Sequence, residues 1–279
     1  MALVPGVEAR WLVEDASGVD RSRWSEAATA DGVARLTAMV ERRRSGEPLQ
    51  YVLGRWSFRG LDLLVDPRVL IPRPETEVVA EVAIVETRSG MTGGPCAIAD
   101  LGTGSGALAL ALATELPGVE VWATDVSPGA LAVARANLEA IGPAVSRVHL
   151  AQGMWYEALP TGLRGRLRVI VSNPPYVAKA EFADLPPEVR DHEPTGALVA
   201  GPTGRESLEY LVAGGLGWLK PGGALVLELA PHQAAPISAA AAAEGYDGVT
   251  VHRDLAGRDR VLVARRPATG SGHPGSGTR

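Results

Sequence analysis

The 279-residue sequence predicts an α/β protein: a doubly wound, mostly parallel seven-stranded sheet with an antiparallel edge, preceded by a small helical region and a β-hairpin connector. Three observations carry this expectation. From Cys96 onward, short apolar runs alternate with helix-spaced segments, which is the βα succession of a parallel sheet. The last two apolar runs follow each other without a helix, which requires antiparallel pairing at one edge. Before residue 46 the spacing of apolar residues is helical instead.

Taken in order, Trp11 and Leu12 mark one short helical segment, and Val33, Leu36, Met39 and Val40 a second, with the polar stretch 17–25 between them. From Ser45 the helical pattern stops. Tyr51, Val52 and Leu53, then Trp56 and Phe58, a turn at Arg59 and Gly60, and the run 61–65 predict a hairpin connecting two domains. An extended piece through Pro72 and Pro74 then enters a helix over about 75–87, and the glycines and prolines of 90–95 form a loop. Strands are expected at 97–101, 119–124, 146–150, 167–172, 223–229, 248–253 and 259–264, and helices at 105–116, 128–140, 204–219 and 232–244, with Ser127 as the N-cap of the second. The implied domains are 1–45, helical; 46–73, connector; 74–266, the α/β domain; and 267–279, a Gly/Ser/Thr-rich tail expected to be disordered.

Composition narrows the class. With 46% hydrophobic and 21% charged residues the chain reads as a soluble globular protein, and without a membrane-length apolar run or a signal-like start it is expected to be cytoplasmic. The single cysteine, Cys96, excludes an internal disulfide and sits among apolar neighbours, as a core residue does. A net charge of −5 counts against extended nucleic-acid contact. Arg42, Arg43 and Arg44 form a basic cluster, read here as favourable placement at a helix C-terminus. The five histidines have no metal-ligand spacing, so no metal site is expected.

Three motifs carry the chemistry. Val169, Ile170, Val171 and Ser172 run into Asn173, Pro174, Pro175 and Tyr176, a buried strand stopped by prolines that cannot extend a ladder. Pro174 biases Asn173 towards an extended conformation, so the Asn173 oxygen and a nearby main-chain carbonyl can accept both hydrogens of a planar NH2 group, with the Tyr176 ring over its flat face. A plain strand end with a tight turn is the alternative. The first strand of the α/β domain opens into Asp100, Leu101, Gly102, Thr103, Gly104, Ser105 and Gly106, whose G-x-G-x-G spacing departs from the G-x-G-x-x-G of nicotinamide and flavin binders. Asp100 suits a ligand bearing an amino group. The next strand ends in Asp125, placed to accept from ribose hydroxyls or, alternatively, to cap the helix after Ser127. The three lie at the ends of the first, second and fourth of these strands and so face one sheet edge. Together they point to S-adenosylmethionine as cofactor. Trp155 is open on its residues alone between core packing and ligand stacking.

The chain resembles the class I, Rossmann-like methyltransferases that modify a glutamine side-chain amide of bacterial peptide chain release factors, the PrmC/HemK type. The resemblance rests on GEPLQYVLG at 46–54, VLIPRPETE at 69–77, DLGTGSGALAL at 100–110, ATDVSPGAL at 123–131 and VSNPPYV at 171–177, with weaker matches at EPTGAL (193–198), LELAPHQ (227–233) and the DLAGRDRVLVAR close. It runs from about residue 7 to 266, and IPRPETE narrows it, because N-P-P-Y is shared with DNA-adenine and RNA-guanine methyltransferases. The family pattern implies Gly102 to Gly106 and Asp125 on the cofactor, Trp155 against its adenine, and Asn173 to Tyr176 on the substrate glutamine, with the release factor as protein partner, gripped partly by the N-terminal region. Two departures stand out: Met154 where the family commonly has an Asp, and an N-terminal helical region shorter than usual. An amino methyltransferase acting on nucleic acid and a non-catalytic cofactor-binding protein are the rival readings.

Overall fold

The computed structural model describes residues 6–19, 29–91 and 94–268. Residues 269–279 of the expected disordered tail, and much of the 17–25 stretch, lie outside them.

Two helices open the chain, α1 (Gly6–Ser17) and α2 (Ala30–Arg44), the latter capped by the Thr29 hydroxyl, which accepts from the Gly32 amide. Leu12, Ala16, Met39, Leu49 and Val52 form a small core of their own. The basic cluster is largely structural. Arg42 pairs with Glu47 and donates to the Tyr51 carbonyl, and Arg43 pairs with Glu8 and reaches Glu188.

The connector departs from the extended conformation expected of it. Tyr51, Val52 and Leu53 are not part of an extended segment but of a short helix, α3 (Leu49–Leu53). Pro48 sets its start and Gly54 stops it in the left-handed region at φ +74°, donating to the Gln50 carbonyl at 2.8 Å. Branched and aromatic residues favour strands, but these local stops decide the conformation first. The hairpin proper is β1 (Arg55–Phe58) with β2 (Leu61–Leu64). Phe58 and Leu63 bury into the core of the α/β domain.

After α4 (Pro74–Ser89) come β3 (Cys96–Leu101), α5 (Ala107–Glu115), β4 (Val119–Asp125), α6 (Pro128–Ile141), β5 (Val148–Gln152) and β6 (Leu167–Ser172). Then follow a short strand β7 (Val177–Ala178), single-turn helices α7 (Pro187–Arg190) and α8 (Thr195–Leu198), and β8 (Val199–Gly201), which pairs in parallel with β7. The chain ends with α9 (Glu206–Gly215), β9 (Leu219–Glu228), α10 (Ala234–Glu244), β10 (Asp247–Arg253) and β11 (Asp259–Arg265). The seven-stranded sheet has the order β10-β11-β9-β6-β3-β4-β5, with β11 antiparallel to both neighbours.

The central strands β3 and β6 are covered on both faces and so are buried nearly along their length rather than alternating, whereas the edge strand β10 is largely exposed. On β6, Val169 and Val171 meet α4 and α5, while Leu167 and Ile170 meet α9 and α10. Cys96 is buried among the first set, as expected, and burial pushes its thiol up. His149 stacks on Trp122 with ring centroids 4.6 Å apart. Strand order reverses between β3 and β6. At such a switch point the two departing loops leave a crevice at the strands' carboxyl ends.

Candidate active site

The crevice is where the sequence motifs converge. A cavity of about 420 Å³, within the range of small-molecule sites, is lined by Gly102 to Ser105, Asp125, Met154, Trp155, Asn173 and Pro175, with Thr76 and Ala197 among its other walls. The buried Ser172 hydroxyl donates to the Leu101 carbonyl at 2.5 Å and ties the ends of β6 and β3 together beneath it.

The glycine loop is built from within. The amides of Gly102 and Thr103 both donate to the Thr124 carbonyl at 2.8 Å, that of Gly104 donates to Asp125 Oδ2 at 2.9 Å, and that of Gly106 to the Thr103 carbonyl at 2.9 Å. Four loop amides are thus committed inside the protein. A phosphate cradle needs them turned outward, so the loop does not serve the pyrophosphate that G-x-G-x-x-G loops bind. Gly102 is left-handed at φ +76°, and a Cβ there would lie 3.1 Å from Cζ3 of Trp155, so glycine lets the indole lie against the loop. Trp155 itself sits at φ +47°, a conformation costly for a bulky residue, which aims its ring at the cavity.

Asp125 does two jobs at once. Its Oδ1 accepts from the Ser127 amide at 2.9 Å, the local capping role weighed from sequence, while Oδ2 fixes Gly104. Each carboxylate oxygen keeps a lone pair for a ligand hydroxyl, and burial raises its pKa. Asp100 is placed differently. It lies beneath the loop rather than on the cavity wall, with Oδ2 accepting from the Thr103 hydroxyl at 2.6 Å and the Ala109 amide at 3.1 Å. Its Oδ1 is buried without a partner, and burial pushes the carboxyl up to about 7. Such an orphaned acceptor beneath a loop that bounds the cavity fits a ligand bearing a positive charge. Gly106, Pro174 and Tyr176 are also off the lining. Gly106 is packed against Leu110 and Ala134 at the start of α5.

The N-P-P-Y segment is held from three sides. Asn173 Nδ2 donates to the Thr76 hydroxyl at 3.1 Å, and that hydroxyl donates to Glu228 Oε2 at 2.6 Å. The Tyr176 phenol is 3.5 Å from Glu228 Oε1, and burial pushes it to about 12. The Tyr176 carbonyl accepts from Gln233 Nε2 at 2.9 Å. The sequence motifs left without a role are thereby explained. Thr76 belongs to IPRPETE, and Glu228 and Gln233 belong to LELAPHQ. Glu193 of EPTGAL is buried, accepts from the Ile71 amide at 3.2 Å and pairs with Arg73, which fastens the connector to the cavity wall carrying Gly196 and Ala197.

Known proteins resemble this chain in sequence and fold. A family model described as the methyltransferase small domain matches residues 91–185, and one described as the PrmC N-terminal domain matches residues 4–54. The chain is 41% identical over 276 residues to the release factor glutamine methyltransferase of Gloeobacter violaceus, covering 96% of this chain and 93% of that one. It is 42% identical over 270 residues to the release factor glutamine methyltransferase of Moorella thermoacetica, covering 94% and 92%. Among solved structures, a methyltransferase from Pyrococcus furiosus superposes with a TM-score of 0.53 over 86% of this chain and 100% of that one at 20% identity, a likeness of fold.

Proposed function

Because the chain belongs to the release factor glutamine methyltransferases, we propose that it transfers a methyl group from S-adenosylmethionine to the side-chain amide nitrogen of a glutamine, in the Gly-Gly-Gln motif of a peptide chain release factor. One observation carries the reading furthest. Asn173 shares a cavity with the glycine loop and Asp125, and its NH2 end is already taken by Thr76, so its oxygen is the end left to accept from a substrate amide.

When bound, S-adenosylmethionine supplies the methyl group on a sulfonium, an electrophile strong enough for a weak nucleophile. Asp125 would hold the ribose hydroxyls, Trp155 would cover the adenine, and Thr103 and Ser105, with Asp100 beneath the loop, would shape the end that receives the amino acid portion. The glutamine nitrogen is a poor nucleophile because its lone pair is delocalised into the carbonyl. Asn173 Oδ1 and the Pro174 carbonyl accept its two N–H bonds, which aligns the nitrogen and returns electron density to it. Pro175 bounds the substrate side, and Tyr176, off the lining, braces the segment against Glu228 and Gln233. No general base is assigned, since the amide nitrogen sheds its proton readily once the new bond has formed.

Recognition of the protein partner falls to the helical region 1–45, whose Val7, Trp11 and Val33 side chains are exposed, acting with the connector 46–73, while 74–266 carries the chemistry. No direct contact with nucleic acid is proposed, in keeping with the net charge of −5. Among the described residues no helix is long and apolar enough to cross a membrane, and a substrate that works in translation puts the protein in the cytoplasm.

The deciding experiment offers methyl-labelled cofactor with three acceptors: a release factor, its Gln→Ala variant in the Gly-Gly-Gln loop, and nucleic acid. Label on the intact release factor alone is expected. Label on nucleic acid alone, or none despite measured cofactor binding, overturns the proposal.

A further inference from the structure

An asparagine amide has an accepting end and a donating end of nearly the same shape, so a site that needs its oxygen must fix which way it faces. We propose that Thr76 and Glu228 are positioning residues that hold the Asn173 side chain with its oxygen turned to the substrate. The proposal rests on the reading of Asn173 as acceptor for the glutamine NH2.

The polarity follows link by link. Thr76 has one hydroxyl hydrogen, and at 2.6 Å from Glu228 Oε2 that hydrogen is committed to the carboxylate. Its oxygen can then only accept, and what faces it at 3.1 Å is Asn173 Nδ2. A carboxylate thus orients a hydroxyl, and the hydroxyl orients an amide. Thr76 is buried at the first turn of α4, and Glu228, 1% exposed, closes β9.

Glu228 is an expensive residue to keep for packing alone, because a buried carboxylate is poorly solvated. The nearby Arg260 guanidinium does not neutralise it directly: it donates to the Leu229 carbonyl at 3.2 Å and lies 3.7 Å from Asp254. An acceptor-only group is nevertheless what the relay requires. Protonated, Glu228 could donate to Thr76, releasing the Thr76 hydrogen to the Asn173 oxygen and turning the relay around. Glu75 from α4, Tyr176 from the loop after β6 and Arg260 from β11 surround it, and with burial as the main cause its carboxyl titrates at about 7.

Three substitutions and one spectroscopic measurement test this. Thr76→Val keeps the branched shape and removes the hydroxyl. It is expected to lower kcat on the order of tenfold, about 1.4 kcal/mol, with cofactor affinity by calorimetry little changed, and Thr76→Ser to recover most of that loss. Glu228→Gln can offer an oxygen to Thr76 at every pH, so the acid limb expected of the wild-type kcat near pH 7 should vanish in the variant. The Asn173 side-chain NH2 resonances, followed by NMR, should shift with that same midpoint in the wild type and stay flat in Glu228→Gln. A Thr76→Val enzyme with wild-type kcat, an acid limb that survives Glu228→Gln, or Asn173 resonances indifferent to pH overturns the proposal. The NMR titration needs no methyl acceptor. It therefore decides the orientation even where the release factor is not methylated and the functional reading itself has failed.

Discussion

In the proposed reaction Asn173 works through one oxygen atom, which Thr76 and Glu228 would present. On that reading, replacing it with alanine removes the substrate's acceptor and leaves Gly102 to Ser105 and Asp125 in place. Asn173→Ala is therefore expected to reduce turnover by at least about a hundredfold, with the cofactor dissociation constant only modestly raised. Calorimetry showing complete loss of cofactor binding would contradict that division of roles. At this scale the motifs were readable because each is contiguous: the glycine loop, Asp125 and N-P-P-Y announce themselves in a few residues. Their partners were not. Thr76 and Glu228 stand 152 positions apart and meet only when the start of α4 is laid over the end of β9, so neither carries a local signal of its role. Asp100 was legible as part of the loop, but only the structure places it under the loop, with one oxygen left unpaired.

Elements longer than about five residues were legible for a physical reason: a strand covered on both faces must be apolar along its length, and an amphipathic helix must repeat its apolar positions. Short elements escape that logic. The helix Leu49–Leu53 is decided by Pro48 and Gly54 rather than by its own side chains, and the β7 and β8 pair is too brief to show a period. Junctions between elements escape it as well. Asn137 on α6, 2% exposed, accepts from the Leu64 amide at 2.7 Å and donates to the Leu64 carbonyl at 3.0 Å and the Ser105 carbonyl at 2.9 Å, fastening the hairpin and the glycine loop to one helix. In Asn137→Ala these backbone groups lose their partner, each at roughly 1–3 kcal/mol where water cannot replace it. The variant is expected to lose about 2–4 kcal/mol of stability by urea denaturation and to bind cofactor more weakly, since Ser105 lies on the cavity wall. Wild-type stability would show that the junction is held by packing of Phe58 and Leu63 alone.

For the molecule as a whole, the buried acids at one sheet edge set how stability responds to pH. In the folded chain Asp100 and Glu228 each keep a proton up to about pH 7, chiefly because burial disfavours the charge, whereas in an unfolded chain they would release it in the ordinary carboxylate range near 4. Folding therefore takes up protons between those limits, and stability falls as pH rises through them, by at most about 1.4 kcal/mol per pH unit for each group. The paired surface acids act in the opposite sense. Glu115 beside Arg59 and Asp66 beside Arg68 have lowered values, so their stabilisation is lost only on acidification below the ordinary carboxylate range. Between pH 5 and 8 the buried pair dominates, and the melting temperature of the free protein is expected to fall across that window. A cationic ligand reverses part of the effect, because it favours the ionised form of acids beside its site. The rise in melting temperature on adding S-adenosylmethionine should accordingly be larger at pH 8 than at pH 5.5. Thermal melts across this range, with and without cofactor, read both slopes, and a free protein whose melting temperature climbs from pH 5 to 8 would show that these carboxyls are ionised in the fold.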